Sequence, residues 1–158
     1  MAAVALITSA TGGHAVAGHV AASAFSHLAA EESDQAGAYL RIAVAANKRL
    51  DADFDRAQGP DQADLAASAA DLRDIAATEL RFDRQLAALV LPSGPESWAH
   101  ALIRANEARA ALTTQAAASK SVAQLGSYRH PLAAANVPVE QAAVAIRNDL
   151  GLPAPDTD

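Results

Sequence analysis

The sequence predicts an all-α protein, an antiparallel up-down-up-down four-helix bundle that follows a poorly defined N-terminal segment. Three observations indicate this fold. Large apolar residues recur at intervals of three, four and seven, which is the spacing of a helix that packs along others. Alanine, the strongest helix former, dominates the apolar half of the composition. Turns of a few residues separate the periodic stretches, and such short connections make consecutive helices antiparallel.

Residues 1–33 form the first predicted unit, a signal-like or frayed alanine-rich segment. It opens on a short apolar run, and Ala15-Val16-Ala17 matches the A-x-A pattern that signal peptidase cleaves. A secretory signal also has basic residues at its start, whereas residues 1–40 contain no Lys or Arg. The segment is therefore interpreted either as a signal-peptide remnant or as a frayed helix over about residues 14–30. The apolar run is too short to span a bilayer.

Residues 34–151 are predicted to form the bundle, beginning with helix A from Asp34 to about Gln58. Gly59 suits the left-handed position that often follows a helix, and Pro60 prevents continuation. The face of this helix that follows three-four spacing consists of Leu40, Ala43, Asn47, Leu50, Phe54 and Ala57.

Helix B lies within residues 61–91, where Asp61 is predicted to cap its first turn and Pro92 to stop it. The apolar seam of this helix consists of Leu65, Leu72, Ile75, Phe82, Leu86 and Leu89. Glu79 stands in the middle of that seam, at a position where the spacing calls for an apolar residue.

Helix C is predicted to begin at Ser93-Gly94-Pro95-Glu96, an S-x-x-E capping box with proline in the first turn, and to run to about Leu125. Arg109 lies on its inner face, together with Trp98, Leu102, Ala105, Leu112, Ala116 and Ala123.

Helix D is the last predicted helix, and Gly151 ends it. Its apolar residues are Val139, Ala143, Ile146 and Leu150. Pro138 either starts this helix or kinks one that begins at Pro131. Residues 152–158 are predicted to be a disordered tail.

Three polar residues, Glu79, Arg109 and Tyr39, are predicted to meet at one layer of the bundle. The turn between helices B and C is centred near Ser93. Glu79 lies fourteen residues before Ser93, and Arg109 lies sixteen residues after it. At 1.5 Å per residue the two differ in depth by about 3 Å, within reach of an arginine side chain. The same count across the turn at Gly59 places Tyr39 level with Glu79.

This layer has two interpretations. The first is a structural ion pair that fixes the register of the helices. The second is a pocket for a small molecule, or an active site in which a buried carboxylate with a raised pKa acts as a general base. Nothing else in the layer resembles a nucleophile or a second acid, so no enzymatic activity is predicted.

Composition and motifs exclude several classes of function. A net charge of −6 and a pI near 5.2 argue against nucleic-acid and anionic-membrane partners. The chain has no Cys, and its histidines do not form the paired Glu-x-x-His motifs of a di-iron bundle. It also lacks a phosphate-binding loop and the G-x-S-x-G motif. No metal, cofactor or stable membrane insertion is predicted, and a homo-oligomer is left open.

Several short stretches resemble a loose group of uncharacterised exported helical proteins and lipoproteins from high-GC bacteria. The similarity covers residues 39–153 and departs from the lipoprotein members in lacking their lipid-anchored Cys. The stretches that carry it are Tyr39-Leu40-Arg41-Ile42, Glu79-Leu80-Arg81-Phe82-Asp83, Ala105-Asn106-Glu107-Ala108-Arg109, Ala135-Asn136-Val137-Pro138-Val139 and Leu150-Gly151-Leu152-Pro153. The resemblance implies an envelope or extracellular setting and no known activity.

The sequence is therefore interpreted as a non-enzymatic helical module, secreted or of the cell envelope, that binds a protein partner. The alternative is a small-molecule binder with a polar pocket at the layer of Glu79, Arg109 and Tyr39. A cytoplasmic location is the alternative to export.

Overall fold

The computed structural model describes residues 19–59, 61 and 63–153, with side chains from Asp34 onward. These residues contain five helices and no strand. The predicted all-α class is thereby confirmed. The helices are α1 (His19–Gln58), α2 (Leu65–Ala87), α3 (Ser93–Ala117), α4 (Val122–Gly126) and α5 (Arg129–Asp149). The predicted signal remnant falls mostly on residues 1–18, which lie outside the described part of the chain.

The four long helices pack as a bundle around the hairpin of α2 and α3. The first helix packs along α2, and α5 packs along α3, whereas α1 and α5 do not pack along one another. All four nevertheless contribute side chains to one apolar core. The buried residues of that core are Tyr39, Ala43, Phe82, Leu86, Ala99, Leu102, Ala142 and Ile146.

The first helix ends at Gln58 as predicted but begins at His19 instead of Asp34, so its backbone runs unbroken across the predicted boundary at residue 33. The prediction of a left-handed Gly59 is wrong, since the only glycine with positive φ in the described residues is Gly151, at 65°. A glycine is required at position 59 because the backbone of Asp55 passes close to it. A Cβ there would lie 2.7 Å from the carbonyl oxygen of Asp55.

Asp64, not Asp61, caps α2. Its side chain accepts hydrogen bonds from the backbone N–H groups of Ala66 and Ala67, at 2.8 and 3.1 Å. Asp61 lies one turn earlier, where its carbonyl accepts the hydroxyl of Ser68 at 2.7 Å. The chain needs this extra turn to reverse direction after Gln58, and the helix therefore starts later than the first aspartate suggests.

The capping box predicted at Ser93 does not form. Pro92 occupies the N-cap position of α3, no side chain caps this helix, and Ser93 is its first helical residue. The helix also ends earlier than predicted, at Ala117. Ser121 adopts an extended backbone and its hydroxyl accepts the N–H of Gln124, so a separate short helix, α4, begins there.

The inner face of α3 is rotated from the predicted one. Trp98 is 43% exposed, whereas Ala99 next to it is buried and belongs to the core. The buried positions of this face are Pro95, Ala99, Leu102, Asn106, Ala110, Thr113, Ala116 and Ala117. Most of these side chains are small, which lets α3 approach both neighbouring helices closely. The large indole of Trp98, at the edge of this face, therefore stays outside the core.

Pro138 lies inside α5, which begins at Arg129. Pro131 falls in its first turn, where a proline costs little because the first N–H groups have no helical partner. Pro138 removes one hydrogen bond, to the carbonyl of Ala134, but both residues are exposed, so this carbonyl is open to solvent. Past the helix, the Arg147 side chain donates to the Pro153 carbonyl at 2.6 Å, so the predicted disordered tail is held in place at its start.

The cap at Asp64 and the missing cap at Ser93 lead to a first prediction. Asp64→Ala removes the acceptor for two N–H groups and should lower the free energy of unfolding by about 1 kcal/mol. Ser93→Ala is the matched control, and it should change the free energy by much less, since Ser93 caps nothing. Urea denaturation of the two variants measures both values. A larger loss for Ser93→Ala would show that α3 begins with the capping box after all.

Candidate functional site

An ion pair between α2 and α3 lies at the centre of the candidate site. Arg109 Nη2 is 2.8 Å from Glu79 Oε1. The side chain of Glu79 is 2% exposed and that of Arg109 15%. The pairing predicted from the distances to the turn is thereby confirmed. Any role of this pair in binding a ligand stays a prediction.

Arg109 also links this pair to α5. Its Nη1 donates to Asn136 Oδ1, and Asn136 Nδ2 donates in turn to Glu140 Oε1. One guanidinium therefore connects three helices through a buried carboxylate on one side and a half-buried amide on the other. Sequence reasoning did not assign Asn136 to the site. The only signal was its place on a helix whose neighbouring apolar residues, such as Val139, face inward.

Tyr39 does not join Glu79 and Arg109, contrary to the prediction. It is buried within the apolar core, and the charged group that acts on its hydroxyl is Arg147 of α5. Burial raises the pKa of Tyr39, and the positive charge of Arg147 partly offsets that increase. Tyr39 therefore belongs to the apolar core, where residues of α1 and α5 meet, and not to the polar cluster.

A second buried pair accompanies the first, one helical turn further along α2. Asn106 Nδ2 donates to Asp83 Oδ1 at 2.8 Å, and both residues are 4% exposed. Asp83 follows Glu79 by four residues and Asn106 precedes Arg109 by three, so both new residues share a helix face with the first pair. That spacing was the signal available in the sequence. It was missed because Asp83 lies at the edge of the apolar seam.

Burial dominates the electrostatics of both carboxylates. It raises the pKa of Glu79, while the charge of Arg109 lowers it and the charge of Asp83 raises it again. Burial also raises the pKa of Asp83 to about 6, against the hydrogen bond from Asn106, which lowers it. Two buried carboxylates thus share one arginine, and the cluster carries one more negative charge than positive when both are ionised.

The same four residues contain buried polar atoms without a hydrogen-bond partner. These atoms are Glu79 Oε2, Asp83 Oδ2, Asn106 Oδ1 and Arg109 Nε. Buried polar atoms in native proteins are nearly always paired, so their concentration in one cluster singles it out from the rest of the interior. Three of the four are acceptors, and only a group that brings hydrogen atoms satisfies them.

A separate polar cluster joins α1 to the start of α2. Arg56 donates to Asp53 at 2.5 Å and to Asp71 at 3.0 Å, and both aspartates are buried although the arginine is largely exposed. Burial raises the pKa of Asp61, and a hydrogen bond with the carboxyl of Asp71 raises it further. This cluster has no counterpart in the predicted site. It holds the corner at which the chain turns from α1 into α2.

Neither cluster has the composition of a familiar catalytic or metal centre. Within residues 34–59, 61 and 63–153, no three His, Asp or Glu residues come together in a way that would hold a metal ion. No helix in the described part of the chain is both long and apolar enough to cross a membrane. The charged side chains of the first cluster are engaged with one another between α2, α3 and α5.

Comparison with known proteins adds no assignment. No protein-family model matches the chain, and no similar protein is found among curated proteins or among solved structures.

Proposed function

We propose that the protein is a non-enzymatic helical module, secreted or of the cell envelope, that binds a protein partner through the outer face of α5. The observation that carries this proposal is a pair of exposed valines on that helix. Val137 and Val144 are 50% and 37% exposed. They are seven residues apart, two helical turns, and therefore lie one above the other.

The position of α5 in the bundle supports this surface. This helix packs along α3 and does not pack along α1, so much of its circumference is free in the described structure. Ile146 faces the core with no exposed area, and Val137 stands nine residues from it, on the opposite side of the helix. An apolar stripe that faces away from the core is suited to a groove or helix of another protein.

The state of the polar layer also favours a binding module over an enzyme. Both terminal nitrogens of Arg109 are engaged with protein groups, one with Glu79 and the other with Asn136. A guanidinium held between helices in this way fixes their register and is not presented to a substrate.

Photo-crosslinking tests this second prediction. A photoreactive phenylalanine analogue at position 137 or 144 should give a covalent adduct with one protein of defined mass in the cells that naturally make the chain. The same analogue at Ala108, an exposed position on α3, is the control and should give none. Val137→Lys with Val144→Lys should abolish capture by a tagged chain without changing its melting temperature.

Each outcome of this experiment is informative. An adduct of twice the chain's mass identifies the partner as a second copy. An adduct with an envelope or extracellular protein supports the proposed location, and one with a cytoplasmic protein contradicts it. No adduct at either valine, or equal yields at Ala108, would disprove the proposed surface.

One observation favours the small-molecule alternative, namely the unpartnered Oε2 of Glu79 and Nε of Arg109. A ligand with both a donor and an acceptor would satisfy them. Native mass spectrometry of the protein from its own cells tests this directly. A small molecule bound to the wild type and absent from the Glu79→Leu, Arg109→Met double variant would establish the alternative.

A further inference from the structure

The contact between Asp83 and Asn106 supplies one of the two hydrogen bonds that a carboxylic acid and a carboxamide form with each other. The amide donates to Asp83 Oδ1 at 2.8 Å, and the remaining oxygens, Asp83 Oδ2 and Asn106 Oδ1, are both buried without a partner. Two oxygen acceptors cannot bond to each other. A single hydrogen atom on the carboxyl group would satisfy both, since a carboxylic acid and a carboxamide form a ring of two parallel hydrogen bonds.

We propose that Asp83 and Asn106 form a proton-binding site, in which protonated Asp83 donates from Oδ2 to Asn106 Oδ1 and accepts from Asn106 Nδ2. The proton adds to the carboxylate as a simple acid–base step, and no other bond changes. Binding of the proton converts one hydrogen bond between α2 and α3 into two and removes the two unpartnered acceptors.

Burial favours uptake of a proton by this pair, and the charges around it act in both directions. On α2, Glu79 lies one turn before Asp83, and Arg84, which follows Asp83 directly, attracts the ionised carboxyl. On α3, Glu107 repels the ionised carboxyl and Arg109 attracts it, but Arg109 is already paired with Glu79. The other helix packed against α2 is α1, and none of its described residues is among the main influences on the pKa of Asp83. The buried cluster therefore has one uncompensated negative charge, which a proton neutralises.

The effect on stability follows from linkage. Folding raises the pKa of the Asp83 carboxyl from 3.8 to about 6, so between these values the folded chain binds a proton that the unfolded chain does not. This contribution is fully present below the lower pKa and is lost as the pH rises through the upper one. For Asp83 alone, the folding equilibrium constant should be about tenfold larger at pH 5 than at pH 7.

Asp83→Asn is the decisive variant, because an amide resembles the protonated acid and donates permanently to Asn106 Oδ1. We expect this variant to be more stable than the wild type at pH 7 and equally stable at pH 5. The ratio of the folding equilibrium constants of variant and wild type should therefore change by about tenfold between pH 5 and pH 7. Asp51→Asn, the same substitution at an exposed position of α1, is the matched control. Asp83→Leu, which leaves both polar atoms of Asn106 unpaired, should be less stable than Asp83→Asn at every pH.

Carbon-13 NMR of the aspartate carboxyl groups tests the site in the unaltered protein. The Asp83 resonance, assigned by its absence from Asp83→Asn, should titrate with a midpoint near pH 6. A midpoint at or below 4 would show that the carboxyl remains ionised and would overturn the proposal. So would a stability ratio between Asp83→Asn and the wild type that does not depend on pH.

Discussion

Removing either partner of the Glu79–Arg109 pair alone should lower the free energy of unfolding by about 3–5 kcal/mol, since it leaves the other charge inside the bundle without its partner. The test is Glu79→Leu and Arg109→Met, separately and together. The double variant should lie within about 1 kcal/mol of the wild type, because two apolar side chains of similar volume satisfy the layer without desolvated charge. A double-mutant cycle by urea denaturation gives the coupling energy directly.

The two single variants should differ in their dependence on pH. Arg109→Met strands a carboxylate whose pKa burial already raises, so lowering the pH restores stability as Glu79 takes up a proton. Glu79→Leu strands a guanidinium that keeps its charge at every pH, although it retains Asn136 as a partner. A coupling energy near zero would contradict the buried pair and would mean that water satisfies both charges.

The ion pair was predictable because two simple rules locate it. Glu79 occupies the centre of the apolar seam of α2, and counting residues from the turn places Arg109 at nearly the same depth. Both rules need only a regular helix and a short turn. The class of the fold and the end of α1 at Gln58 follow from equally local signals, namely three-four spacing and the Gly-Pro sequence after the helix.

The rest of the site depends on how closely the helices approach one another, and the spacing of apolar residues in the sequence does not reveal that distance. Asp83 looks like a surface residue at the edge of the seam, yet small residues such as Ala76, Ala99 and Ala110 bring α2 and α3 close enough to bury it. The same closeness buries Asn106 and excludes Trp98. Tyr39 was placed in the polar layer by depth alone. A count along the axis does not say which neighbour a side chain meets around the bundle.

Apolar packing holds α5 to the other helices at the end of the bundle away from Asn136, and Ile146 is its centre there. This residue has no exposed area and lies in the core that all four long helices share. Ile146→Ala should lower the free energy of unfolding by about 2–5 kcal/mol, through lost burial and the cavity left behind. Ile146→Val, which deletes a single methyl group, should cost about 0.5–1.5 kcal/mol.

Val144→Ala is the matched control, because it shortens an aliphatic side chain on the same helix at a position that is 37% exposed, and it should change stability far less. Equal losses for Ile146→Ala and Val144→Ala would show that α5 is turned about its axis and that its valines face the core. The proposed partner surface would then be wrong as well. The two faces of α5 are therefore expected to differ: substitutions at Ile146 reduce stability, and substitutions at Val144 reduce binding.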